Sequence, residues 1–182
     1  RSLGVTYQSP ESDRYGYDAD YLRGRLIGLL GGRAAEEVVF ENVTTGAESD
    51  LEQATALVRQ MVGRWGMSDE VGLVSALPRP GEETFAFPGS AGATSQHTLE
   101  LIDDEVRRIT DECYQQARQT LAEHRPQLDS LASTLLEHET LDETDAYAAA
   151  GIPARSSQPA RLAGAIAQLE AAHMASEIAV EP

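Results

Sequence analysis

Apolar side chains recur at intervals of three and four along most of this chain, the period of a helix buried along one face. The first run is Leu22, Leu26, Leu29, Leu30, Val38 and Val39. It predicts a helix from about Ala19 to Phe40, capped by the Asp18 carboxylate. The second run, Leu51, Ala54, Val58, Met61, Val62 and Trp65, predicts a helix from about Glu48 to Trp65, stopped by Gly66. Leu99, Ile102, Val106, Ile109, Cys113 and Ala117 predict a long third helix from near Ser95 to about Glu123. Leu128, Leu131, Leu135 and Leu136 mark a fourth, with Pro126 as its first residue. Glu139-Thr140-Leu141-Asp142 then caps a short fifth helix that ends at Gly151. Only Leu3 to Tyr7, with Val, Thr and Tyr in succession, has the composition of a strand. The expected fold class is therefore mainly α: a helical bundle with a short N-terminal strand or hairpin.

The same pattern divides the chain. Residues 1–17 are strand and loop, 18–153 form a helical body, and 154–182 are a tail. The tail opens on the linker Arg155-Ser156-Ser157-Gln158-Pro159 and then places Leu162, Ile166, Leu169 and His173 at helical spacing. Residues 78–95 are rich in Pro, Gly, Ala and Ser and read as a flexible loop. Gly31 and Gly32 fall inside the first helix, where each glycine costs roughly 1 kcal/mol relative to alanine. That cost predicts a close approach of another backbone or a break in the helix.

Between the first two helices lies a tight polar turn, Thr44-Thr45-Gly46. Ser49 or Thr45 is the expected cap of the second helix, since either hydroxyl can accept an unpaired amide of its first turn. Asp50 then falls in or near that turn, where the helix dipole favours a negative charge. On pattern alone Asp50 is an ordinary helix N-terminal acid.

Charge and composition narrow the function classes. The formal net charge is -16, from 14 basic and 30 acidic residues, and every basic residue is arginine. Nucleic-acid binding is excluded as an expectation, because phosphate neutralisation needs a positive patch. Solubility accounts for the acidity, and the absence of lysine points to a GC-rich genome rather than to a mechanism. Cys113 is the only cysteine, so neither an intrachain disulfide nor a cysteine zinc cluster can form. It falls on the apolar stripe of the third helix and reads as a buried, inert thiol. His97, His124, His138 and His173 include no pair four residues apart, and each reads as a surface histidine. No run of about 18 apolar residues and no G-x-x-x-x-G-K-[ST] phosphate loop is present.

Several ordered motifs carry a resemblance. Gly31-Gly32-Arg33-Ala34-Ala35-Glu36-Glu37, Val43-Thr44-Thr45-Gly46-Ala47, Ser49-Asp50-Leu51 and Gly66-Met67-Ser68-Asp69 resemble, in sequence and spacing, the peptidase domain of the FtsH family. The family consists of membrane-anchored, ATP-dependent zinc metalloproteases, and the resemblance covers roughly residues 1 to 150. Phe85-Ala86-Phe87-Pro88-Gly89 departs from the Phe-Leu-Gly turn that members often carry there. The resemblance implies that Asp50 is the third protein ligand of a catalytic zinc. It places Glu36 near the zinc ligands, in a supporting role, whereas Glu37 reads as a solvated helix acid. Arg33 is expected to order carboxylates by ion pairing. The family's H-E-x-x-H motif, with two zinc ligands and the catalytic base, has no counterpart in these residues, so no catalytic residue is assigned in this chain.

The chain thus looks like the C-terminal part of the peptidase domain. Membrane anchor and ATPase, with ATP and Mg as its cofactors, are then expected upstream of Arg1. The resemblance further implies protein substrates, a homo-hexamer of the full-length protein, and a place on the cytoplasmic face of a bacterial membrane. The alternative is a non-catalytic pseudoprotease or helical oligomerisation module. Sequence upstream of Arg1 discriminates the two.

Overall fold

The computed structural model describes residues 16–78 and 94–153. The expected N-terminal strand, most of the 78–95 loop and the whole tail lie outside them. Among the described residues five helices stand in the order α1 (Ala19–Phe40), α2 (Glu48–Gly63), α3 (Gln96–Glu123), α4 (Arg125–His138) and α5 (Glu143–Ala149), with a 3-10 turn at Thr45–Ala47. The fold is mainly α, and the described residues contain no strand. No helix among them is long and apolar enough to cross a membrane. The chain divides into two compact units between His124 and Arg125.

The first unit is built on α1, α2 and α3. Leu22, Leu26 and Leu30 of α1, Ala54, Val58, Met61 and Val62 of α2, and Ile102, Val106, Ile109 and Cys113 of α3 form one buried cluster. Their spacings of three and four are those of the apolar stripes, so each helix turns its stripe inward. Cys113 is buried as its place on the stripe implies, and that burial pushes its thiol pKa up. Leu51, in the first turn of α2, and Trp65, two residues past its end, remain exposed.

Capping follows the sequence at three of the helix starts. Asp18 accepts from the Tyr21 amide at 2.7 Å, Ser95 from Thr98 at 3.2 Å and Asp142 from Asp145 at 2.9 Å. The end of α2 differs from expectation. It stops at Gly63, two residues early, where the amides of Arg64 and Trp65 both reach the Gln60 carbonyl. Gly66 follows in the left-handed region at φ 63°, and a side chain there would begin 3.4 Å from the Leu73 backbone. Gly31 and Gly32 also depart from expectation: α1 runs unbroken through both, and among the described residues no atom of another element lies within 4 Å of where their Cβ atoms would be.

Polar ties join the helices around the core. Arg23 of α1 pairs with Glu112 of α3 at 3.3 Å, and Arg59 of α2 with Asp103 of α3. Glu105 is the charged residue that the core admits, at 5% exposure. Its Oε2 accepts from the Ser68 hydroxyl at 2.9 Å, and the Arg108 guanidinium grips both oxygens at 2.7 and 2.9 Å. Ser68 in turn accepts from the Val71 amide at 3.3 Å, so the Met67-Ser68-Asp69 turn is fastened to α3. The Arg108 hydrogen bonds hold the Glu105 carboxyl below its ordinary value against the opposing effect of burial, with Ser68 helping.

A carboxyl whose folded pKa is lowered stabilises the fold above its unfolded value, and that stability is lost as pH falls through the folded value. Glu105→Gln should therefore lower stability at neutral pH by about 1–3 kcal/mol, seen as a lower Tm. The Tm gap to the parent should hold down to the ordinary carboxyl value of 4.5 and close in stronger acid. A gap independent of pH would show that the charge of Glu105 contributes nothing.

The second unit contains α4 and α5. The Ser130 hydroxyl of α4 donates to the Ala149 carbonyl at 2.7 Å, and Gly151 ends α5 with φ 63°. α4 begins at Arg125, one residue before Pro126. Its leucine stripe is not buried: Leu136 is 85% exposed.

Candidate metal-ligand carboxylate and its supporting turn

The functional candidate of the sequence, Asp50, stands in the first turn of α2 beside Glu48. It is half-buried, and among the described residues its carboxylate enters no hydrogen bond or ion pair. Two features explain its placement. The backbone winds from the 3-10 turn directly into α2, and the free amides of the helix start attract negative charge.

The turn itself is held by a residue that the capping expectation passed over. Neither Thr45 nor Ser49 caps α2, whose N-cap position is Ala47 and receives no side-chain bond. Thr44 instead caps the 3-10 turn ahead of it, its Oγ1 accepting from the Gly46 amide at 3.1 Å. Ser49 already lies inside α2, and its hydroxyl accepts from Gln53 at 3.2 Å. The 3-10 turn puts the chain into helical geometry three residues early, so the capping position moves upstream.

Glu36 meets this turn from α1. Its Oε2 accepts from the Thr44 amide at 3.0 Å and its Oε1 from the Thr44 hydroxyl at 2.8 Å. These two bonds, the backbone one first, with a smaller contribution from the Arg33 charge, hold the Glu36 carboxyl below its ordinary value. Arg33 acts at a distance and makes no ion pair among the described residues. Gly46 completes the arrangement. A Cβ at Gly46 would lie 3.2 Å from Thr44 Oγ1 and 3.8 Å from Glu36 Oε1, so a side chain would crowd the clamp.

Glu37 is not the solvated acid that its neighbours in sequence implied. It accepts from the Tyr114 hydroxyl and pairs with Arg118 at 3.2 Å, both from α3. Burial, then the bond to Glu37, pushes the Tyr114 pKa up. The adjacent glutamates thus face different neighbours: Glu36 the turn, Glu37 the third helix. Adjacent helix residues point about 100° apart, so different surroundings are expected for them, but spacing carries no signal of which partners each one meets.

The histidines stand where the sequence placed them. His97 is in the first turn of α3, His124 just past its end and His138 at the end of α4, all exposed. His173 lies outside the described residues. Among the described residues no three His, Cys, Asp or Glu side chains gather as a metal site. Asp50 is a single hard, anionic oxygen donor at a helix start, with no cluster of further candidate ligands around it among the described residues.

Comparison with known proteins identifies the family. The chain is 51% identical over 164 residues to the ATP-dependent zinc metalloprotease FtsH 3 of Conexibacter woesei, covering 88% of this chain and 22% of that protein. It is 51% identical over 162 residues to the ATP-dependent zinc metalloprotease FtsH of Thermobaculum terrenum, covering 88% of this chain and 25% of that protein. A third relative, the FtsH of Syntrophus aciditrophicus, is 51% identical over 157 residues, 84% of this chain and 21% of its own length. The chain thus spans between a fifth and a quarter of the length of these relatives. The profile of peptidase family M41 matches residues 1–148, which takes in every element from α1 to α4, the Glu36–Thr44 clamp and Asp50. With that match and identity to these proteases across most of its length, the chain belongs to peptidase family M41.

Proposed function

We propose that this chain is the C-terminal portion of the zinc metallopeptidase domain of a membrane-anchored, ATP-dependent protease that degrades unfolded or misassembled proteins. One observation carries the reading. Asp50, at the position of the family's third zinc ligand, is a half-buried carboxylate in a helix first turn with no hydrogen bond or ion pair among the described residues. A carboxylate without a protein partner among the described residues, still reached by solvent, is open to a ligand and suits such a position.

In this reading Asp50 would hold zinc together with the two imidazoles of an H-E-x-x-H helix, which the 182 residues do not contain. When bound, such a zinc lowers the pKa of its water and polarises the scissile carbonyl. Asp50 contributes charge and orientation, and Glu36 supports the ligand shell through the turn. Residues 18–153 serve as the body of the domain, and 154–182 as a tail. The full-length protein would act on protein substrates as a homo-hexamer at the cytoplasmic face of a bacterial membrane, driven by ATP and Mg in a separate ATPase domain.

Chelation tests the reading. In the full-length protein, removal of zinc should stop degradation of an unfolded, fluorescently labelled protein, and added zinc should restore it, while ATP hydrolysis continues. Degradation that survives complete removal of zinc would refute it.

A further inference from the structure

We propose that Thr44 is a positioning residue for the Asp50 carboxylate, and that Glu36 acts through it. The inference rests on the reading of Asp50 as a zinc ligand and adds what places that ligand.

Packing alone leaves the start of α2 unplaced. The first buried side chain of α2 is Ala54, one full turn beyond Asp50. The 3-10 turn buries no residue, and Leu51 is 41% exposed. The hydrophobic core thus holds the body of α2 and not the turn that carries Asp50. Helix ends without such anchoring fray, and a ligand displaced by a fraction of an ångström loses its geometry.

Thr44 supplies the missing anchor. Its amide and hydroxyl donate to the two oxygens of Glu36, at 3.0 and 2.8 Å, and the same hydroxyl accepts from Gly46 at 3.1 Å. Glu36 stands in α1, two residues beyond the buried Ala34, so it belongs to a helix whose place is set by the core. Position passes from the core of α1 to Glu36, to Thr44, to the Gly46 amide, and along the rigid turn to Asp50. Hydrogen bonds to an ionised carboxylate are about twice as strong as neutral ones, and a two-point grip fixes direction as well as distance. Both Glu36 oxygens are engaged by Thr44, so Glu36 works as a brace on the turn.

The hydroxyl is the specific requirement. Serine keeps the hydroxyl, and valine keeps the shape and loses it. In the full-length protein, zinc affinity is to be measured by competition with a chromophoric chelator for the parent, Thr44→Val, Thr44→Ser, Glu36→Gln and Asp50→Asn, with the Tm of each zinc-free protein. Thr44→Val and Glu36→Gln should each weaken zinc binding about 10–100-fold, the range for losing a supporting partner of a metal ligand. Thr44→Ser should stay close to the parent. The Thr44→Val, Glu36→Gln double variant should be no weaker than the weaker single one, since both break one clamp. The zinc-free Tm of Thr44→Val should fall only modestly below that of Thr44→Ser, as the loss of one hydrogen bond to a carboxylate requires, with the protein still folded at the assay temperature.

Parent-like zinc affinity in Thr44→Val, alongside a large loss in Asp50→Asn, would overturn the proposal and leave Asp50 as a ligand. Equal losses in Thr44→Ser and Thr44→Val, or additive losses in the double variant, would also overturn it. If Asp50→Asn itself binds zinc like the parent, the ligand reading fails, and the proposal with it. Should Thr44→Val fail to fold, Glu36→Gln against Thr44→Ser decides the matter from the α1 side.

Discussion

Asp50→Asn should abolish proteolysis in the full-length protein while leaving ATP hydrolysis intact. Asparagine keeps the shape of the side chain and removes the negative charge, which a hard divalent cation in a carboxylate position requires. Loss of a supporting partner alone costs about 10–100-fold in metal affinity or activity, so loss of the ligand should exceed about 100-fold. The fold should barely notice. An acid in a helix first turn contributes typically 0.3–1 kcal/mol through the dipole, and Asp50 lies ahead of the first buried residue of α2. The two scales separate the readings. A ligand gives a large loss of degradation with a small change in Tm, whereas a helix-start acid gives a small change in both. Degradation of an unfolded, labelled protein at the parent rate would reduce Asp50 to the second role.

The second large effect is an expected inactivity. These 182 residues by themselves should neither bind zinc tightly nor cleave protein. They hold one of the three expected ligands, Asp50, and no glutamate placed by H-E-x-x-H to activate water. Most of the binding energy of such centres comes from ligands that converge, and no such cluster is found among the described residues. His97, His124 and His138 are exposed at helix ends, where nothing directs them toward a common point. A net charge of -16 will still attract zinc loosely, so metal content at high zinc concentration is a poor measure. Calorimetric titration in physiological salt, which screens that attraction, is the appropriate one. Tight one-to-one binding together with chelator-sensitive cleavage would contradict this expectation and require histidines that converge on Asp50.

The helices were legible in the sequence almost to the residue. Ala19–Phe40 and the third helix emerged from periodicity and caps because both signals are local: a stripe repeats every 3.6 residues, and a cap lies three residues from its amide. The family was legible too, since its motifs are short runs in fixed order. The partners of the carboxylates were not. Glu36, Glu37 and Glu105 are all helix glutamates and look alike in sequence. Glu36 is set by Thr44 eight residues on, Glu37 by Tyr114 seventy-seven residues on, and Glu105 by Ser68 thirty-seven residues back. No periodicity reports contacts of such differing range. The same holds for the 3-10 turn capped by Thr44 ahead of α2 and the early stop of α2 at Gly63, which depend on how the chain leaves one helix to meet its neighbours. Sequence alone determined where the chain is helical and which face of each helix is apolar, because those are properties of neighbouring residues. Tertiary structure decided which charges are braced, buried or left open, because a hydrogen bond needs its partner within about 3 Å and only the packed helices bring it there.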